Sequence, residues 1–157
     1  EKEIIDNGKK LQDIRSREVK DLKVALDDLE YEAITYNTSI GTEYFLSYKT
    51  KKEDKIAAFL RLSLLNQNES AKNFFPELRR SAMIREVHVY GQMVGLGKKD
   101  IGRAQHLGLG TRLIDKACAI AKKNEFKKMA VISAIGTREY YRKRGFVDTG
   151  LYLTKPI

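Results

Sequence analysis

Residues 105–112 read Gln-His-Leu-Gly-Leu-Gly-Thr-Arg, two glycines one residue apart at the head of a run with helix spacing. Leu109, Leu113, Ala117 and Ala121 recur every four residues, with Ile114 and Cys118 beside them. Arg112, Asp115, Lys116, Lys122 and Lys123 fall on the opposite side, so the pattern predicts an amphipathic helix over about 108–123. Glycines at its mouth let the backbone approach a ligand with no side chain in the way. The first amides of a helix have no intrahelical acceptor, and the positive end of the helix dipole adds to them. That combination binds phosphate. Gln105, His106, Gly108, Gly110, Thr111 and Arg112 are therefore the candidate anion-binding residues.

Two common phosphate motifs do not fit. A dinucleotide fingerprint needs a third glycine at position 113, which is Leu113, and a strand directly before the turn. A P-loop read from Gly91 to Gly97-Lys98-Lys99 misses the spacing by one and lacks the hydroxyl residue. What remains, Gln-x-x-Gly-x-Gly opening an amphipathic helix, resembles the pyrophosphate-binding motif of the GNAT acetyltransferases. Two further features stand in the order that family shows: a strand before the motif, and Tyr-Arg-Lys-Arg-Gly-Phe at 141–146, similar to the family's Tyr-x-x-x-Gly-Phe.

The resemblance implies acetyl-CoA as cofactor. Acetyl transfer from a thioester needs a polarised carbonyl, a deprotonated acceptor and a stabilised leaving thiolate. In that family the pantetheine arm lies between the fourth and fifth strands, which places Val87, His88, Val89 and Tyr90 against it, chiefly through backbone groups. Tyr141 stands where the family has its general acid, with Tyr140 about 100° around a helix from it. A phenol with a pKa near 10 can donate to a thiolate whose acid lies near 8.5. Arg142 would reach the cofactor's phosphates. Glu86, on the fourth strand, reads equally as a base and as an ion-pair partner for Arg85, Arg17 or another arginine. With His88 and His106 as the only histidines, no His-based metal site is expected.

The elements that must position these groups follow from periodicity. Alternation from about residue 28 predicts a strand, Thr42–Lys49 a second and the near-continuous apolar run Ile56–Leu65 a buried third. Asn66–Glu77 is polar and contains Pro76, reading as a loop or short helix. Ser81–Tyr90 is the fourth strand. Simple alternation puts Ile84, Glu86, His88 and Tyr90 on one face and Met83, Arg85, Val87 and Val89 on the other. The glycine-bearing stretch 91–104 reads as a loop. After the helix, Lys128–Ala134 is a fifth strand, Gly136–Arg144 a short helix closed by Gly145, and Phe146–Thr154 a last strand split by Gly150. The order β-β-β-β-α-β-α-β predicts an α/β mixed sheet, an antiparallel meander with one parallel crossover. That order resembles the GNAT fold, expected over residues 21–157 behind a linker at 1–20.

Composition bounds the rest. At 157 residues, a single domain is expected. No apolar run approaches a membrane span, no signal-peptide pattern opens the chain, and no membrane partner is expected. The chain begins Glu-Lys-Glu rather than with Met, which suggests a fragment of a longer protein. Cys118, the single cysteine, excludes a disulfide framework, a cysteine-based zinc site and an iron–sulfur cluster held within this chain. It reads as a small core residue, and a cytoplasmic setting fits. The formal net charge is +9. Residues 1–97 carry sixteen basic and sixteen acidic side chains, whereas residues 98–157 carry fourteen against five. The excess sits with the phosphate-binding turn and suits polyanions such as coenzyme A or nucleic acid.

Longer strings narrow the resemblance. Ile-Arg-x-Arg-Glu-Val at 14–19, Arg-Glu-Val-His-Val-Tyr-Gly at 85–91 and the run Ala130–Phe146 are similar to the family of Elongator catalytic subunits. In that family a radical-SAM domain, with an iron–sulfur cluster and S-adenosylmethionine, precedes the acetyltransferase domain. Together they carboxymethylate carbon 5 of the tRNA wobble uridine. The implied partners are acetyl-CoA, tRNA, the radical-SAM domain of the same protein and, in a eukaryote, other Elongator subunits. Many relatives carry zinc-binding cysteines near the first string; here those positions are Leu11, Asp13 and Ser16. The competing functions are a protein lysine N-acetyltransferase and a non-catalytic acyl-CoA-binding module.

Overall fold

The computed structural model describes residues 13–20, 24–90 and 108–157. Expectations for residues 1–12, for the stretch 91–104, and for Gln105 and His106 lie outside the described residues. Seven strands form one sheet: β1 (Leu29–Thr38), β2 (Gly41–Thr50), β3 (Ile56–Leu65), β4 (Ala82–Val89), β5 (Lys128–Val131), β6 (Val147–Asp148) and β7 (Leu153–Pro156). Their spatial order is β1-β2-β3-β4-β5-β7-β6. Among the described strands only β4 and β5 pair parallel, joined through helix α2 (Leu109–Lys123); helices α1 (Gln67–Ala71) and α3 (Arg138–Arg142) are single turns.

The meander β1–β4 is paired along nearly its whole length because its residues alternate or are β-branched and aromatic. Buried Leu46, Leu60, Leu62 and Ile84 point to one face of the sheet, and Leu109, Leu113, Ile114, Ala117 and Ala121 of α2 close over it. The apolar stripe of α2 is thus the predicted one. Cys118 is partly buried beside it, and burial pushes its thiol pKa up.

Three expectations change. The split last strand is a hairpin, β6 against β7, because Gly150, at φ +105°, turns the chain. The fifth strand stops at Val131, and Ile132 is exposed. The simple alternation along β4 fails at a β-bulge: Arg61 pairs with Glu86 and Leu62 with Ile84, so Arg85 is an extra residue. The bulge puts Val87 and Val89 against the same core as Ile84, while Glu86 and His88 face away with Met83 and Arg85.

The string Ile14–Val19 docks on the sheet. Arg17 C=O accepts from Ile56 N–H, Val19 N–H donates to Ile56 C=O at 3.1 Å, and Val19 is buried. Arg17 also donates to Asp54 Oδ1 at 2.8 Å, and Lys49 lies 3.3 Å from the same oxygen. Burial alone would raise the Asp54 carboxyl pKa, but these two cations outweigh it and hold it below its usual value.

Candidate active site

β4 pairs with β5 only at Ala82, Met83 and Ile84. Beyond Ile84 the strands part, whereas on its other side β4 stays paired with β3 as far as Val89. The opening is a cleft of about 390 Å³ lined by Val87 and Val89 of β4, Gly108, Gly110 and Thr111 at the head of α2, and Thr137, Tyr140, Tyr141 and Arg144 around α3. From Arg85 on, the β5-facing backbone of β4 has no strand beside it among the described residues, leaving peptide groups to meet a ligand that lies along the strand.

The mouth of α2 faces this cleft. The first helical bond runs from Arg112 N–H to Gly108 C=O at 3.0 Å, so the amides of Leu109, Gly110 and Thr111 precede it. Gly110 stands in close approach: a Cβ there would run into the Tyr140 hydroxyl and lie 3.3 Å from Val89 Cγ2, so a side chain would displace the Tyr140 ring.

Helix α3 ends in a Schellman motif, with Phe146 N–H returned to Tyr141 C=O and Gly145 N–H to Arg142 C=O, and Gly145 at φ +84°. That closure packs Phe146 edge-on against Tyr141, with centroids 5.7 Å apart. Tyr141 also meets Tyr140 at 5.3 Å and 89°. Tyr141 is 7% exposed, and desolvation pushes its pKa up to about 12. Both tyrosines line the cleft despite their different directions on the helix.

Arg144 was not singled out in the sequence, yet it makes the densest polar contacts in the cleft. Its guanidinium lies 3.4 Å over the Tyr140 ring, donates to Thr111 Oγ1 through Nε at 2.9 Å and NH2 at 2.7 Å, and donates to Tyr140 C=O at 2.6 Å. Arg142, expected at the phosphates, instead pairs with Asp148 at 2.9 Å and Glu139 at 3.6 Å and does not line the cleft. Its neighbours hold Asp148 below the usual carboxyl range, Arg142 first and Arg138 after it. Arg112 is exposed on α2 outside the cleft lining.

Glu86 and His88 stand on the face of the sheet turned away from α2. Glu86 accepts from Arg61 at 3.1 Å and lies 3.2 Å from His88 Nε2, and the His88 ring stacks on Phe59 at 4.9 Å. The arginine that pairs with Glu86 is Arg61, neither Arg85 nor Arg17 but another arginine, as the ion-pair reading also allowed. Tyr90 continues that face. Desolvation first, then the neighbouring Glu18 carboxylate, pushes its pKa up to about 12. Of the four β4 residues expected against the cofactor, Val87 and Val89 present side chains to the cleft. His88 and Tyr90 present theirs to the opposite face, where His88 stacks on Phe59 and the Tyr90 ring lies tilted against it at 6.0 Å.

A sheet opened beside a parallel crossover, with a helix mouth and a tyrosine pair at the gap, matches one family: residues 11–146 fit the acetyltransferase (GNAT) family. The chain belongs to the acetyltransferase (GNAT) family. Its sequence is 38% identical over 156 residues to Elongator complex protein 3 of Dictyostelium discoideum, covering 96% of this chain and 27% of that protein. It is 42% identical over 160 residues to the tRNA uridine(34) acetyltransferase of Methanocaldococcus jannaschii, covering 95% of this chain and 28% of that protein. A solved structure of the archaeal Methanocaldococcus infernus Elp3, lacking N-terminal residues 1–46, superposes with a TM-score of 0.82 at 35% identity, over 99% of this chain and 38% of that one. The chain spans under a third of the length of these curated relatives. The chain has the GNAT fold, and the predicted mixed α/β sheet is the observed one.

Proposed function

We propose that this chain is the acetyl-CoA-binding acyltransferase domain of a tRNA wobble-uridine-modifying enzyme. In the longer protein it works with a radical-SAM domain to place a carboxymethyl group on carbon 5. The iron–sulfur cluster and S-adenosylmethionine belong to that other domain, and the setting is cytoplasmic. In a eukaryote, other Elongator subunits would join it. The residues 1–20 serve as linker and 21–157 as the catalytic domain. The observation that carries this reading is the cleft between β4 and β5 at the mouth of α2, in a chain 42% identical to a tRNA uridine(34) acetyltransferase.

In this reading the carrier's diphosphate lies on the amides of Leu109, Gly110 and Thr111, with Arg112 on the same first turn of α2. The pantetheine follows the β5-facing edge of β4 from Val87 to Val89, whose free backbone groups polarise the thioester carbonyl; the Tyr90 amide is taken by Ala57 C=O at 2.9 Å. Tyr141, or Tyr140 beside it, protonates the departing thiolate. A phenol near pKa 12 gives its proton to a solvated thiolate only uphill, by about 3.5 pH units. Donation therefore depends on the dry cleft raising the thiol's pKa alongside the phenol's. Glu86 faces the other side of the sheet and would act on the acceptor.

The lopsided charge, nine excess positive charges within residues 98–157, favours an RNA acceptor over a basic protein tail. The test uses the full-length protein with tRNA and with a lysine peptide. Acetyl-CoA turnover rising with tRNA and falling steeply with salt supports the reading. Turnover driven by the peptide and indifferent to tRNA and salt would replace it with protein acetylation. Tyr141→Phe with unchanged turnover, once Tyr140→Phe is also unchanged, would leave acyl-CoA binding alone.

A further inference from the structure

Arg144 and Thr111 come from different elements of the fold, thirty-three residues apart, and meet through two hydrogen bonds. Thr111 is the third residue of α2, level with the last of the amides that precede the first helical bond. A hydroxyl has one hydrogen to give and two lone pairs to accept with. Arg144 Nε and NH2 both donate to Thr111 Oγ1, at 2.9 and 2.7 Å, so both lone pairs are taken. The hydroxyl hydrogen is then left to donate elsewhere. The guanidinium is fixed in turn: its remaining nitrogen donates to Tyr140 C=O at 2.6 Å and its plane lies 3.4 Å over the Tyr140 ring. All of these groups line the same cleft.

We propose that Arg144 is a positioning residue for the diphosphate of the acyl carrier: by filling both acceptor sites of Thr111 it converts that hydroxyl into a fixed donor beside the amides of Leu109, Gly110 and Thr111. The inference rests on the cleft holding an acyl-CoA, as argued above. Arg144 acts through Thr111, and its positive charge strengthens the hydroxyl as a donor. Lysine at this position would keep the charge but lack the planar fork that fills two lone pairs at once. Arg142, two residues earlier, has no part in this, because Asp148 and Glu139 hold it elsewhere.

The test measures binding to the full-length protein by isothermal titration with three ligands: coenzyme A, dephospho-coenzyme A, which keeps the diphosphate, and pantetheine, which lacks it. Arg144→Leu should weaken both diphosphate ligands about tenfold and leave pantetheine within about twofold. Thr111→Val, nearly the same shape without the hydroxyl, should weaken them to a similar degree. The double variant should be no weaker than Arg144→Leu alone, since the two act as one unit. Arg144→Lys should recover only part of the loss. If Arg144→Leu disturbs the fold, Thr111→Val carries the comparison by itself. Equal loss for pantetheine, a silent Thr111→Val, or additive losses in the double variant would each overturn the proposal. A wild-type protein that binds no coenzyme A would instead remove the acyl-CoA reading beneath it.

Discussion

β4 has two neighbours and treats them differently. Against β3 it is paired from Met83 to Val89, with one bulge at Arg85; against β5 it is paired over three residues and then, among the described residues, has no neighbour on that edge. The first side is a stability element, in which Leu60 and Leu62 of β3 and Ile84 of β4 are fully buried under α2. The second side is where the cleft opens and where Val87 and Val89 are only partly buried. The same strand thus serves as core along one edge and as binding surface along the other. The cost of leaving backbone groups unpaired is confined to a few residues, beside a helix mouth that can share their ligand.

Substitutions on the two sides should separate stability from binding. Ile84→Ala, at the last residue paired on both edges, should cost about 2–5 kcal/mol in chemical denaturation, because a closed site cannot collapse around the cavity. Val87→Ala, three residues further along, should cost less than about 1.5 kcal/mol while weakening acetyl-CoA binding several-fold by widening the cleft. If the two variants lose stability equally, the division of labour along β4 is wrong.

A second contrast lies in pH. Tyr141 is buried with its pKa raised to about 12. A raised folded-state pKa contributes stability that is whole below the unfolded value near 10 and is lost as pH climbs toward 12. Between those values the unfolding free energy should fall by up to about 3 kcal/mol from this group. Tyr141→Phe should flatten the part of that slope that belongs to Tyr141. A wild-type slope that the phenylalanine variant keeps in full would show that other groups carry it.

The smallest expected effect sharpens the contrast between the two arginines of the tyrosine motif. Arg142→Ala should leave coenzyme A affinity within about twofold, since its partners are Asp148 and Glu139 on the surface rather than anything in the cleft. A tenfold loss in a binding titration would return the phosphate role to Arg142.

Much of this was legible in the sequence because it depends on periodicity and backbone chemistry. The meander, the stripe of α2 and the glycines at its mouth, and the Gly145 terminus of α3 all follow from local rules. The parts that were not legible depend on a single residue's offset. One bulge at Arg85 shifts every later side chain of β4 to the other face, and no period-two pattern marks an inserted residue. Helix α3 is one turn long, so spacing alone could not decide which of Arg142 and Arg144 faces the cleft; Asp148, brought back by the hairpin, decides it. Val19 packs into the core because Arg17 and Asp54, far apart in sequence, fix its segment to the start of β3. The tyrosine motif located the pair, but burial, which sets their pKa, belongs to the fold.

The central claim is that the amides opening α2 hold an acyl carrier's diphosphate. The most direct measurement is amide chemical-shift mapping of the protein titrated with coenzyme A and, separately, with pantetheine. The account predicts large shifts at Leu109, Gly110 and Thr111 with coenzyme A that are absent with pantetheine, while Val87 and Val89 respond to both. Saturating coenzyme A that leaves those three amides unmoved would contradict it.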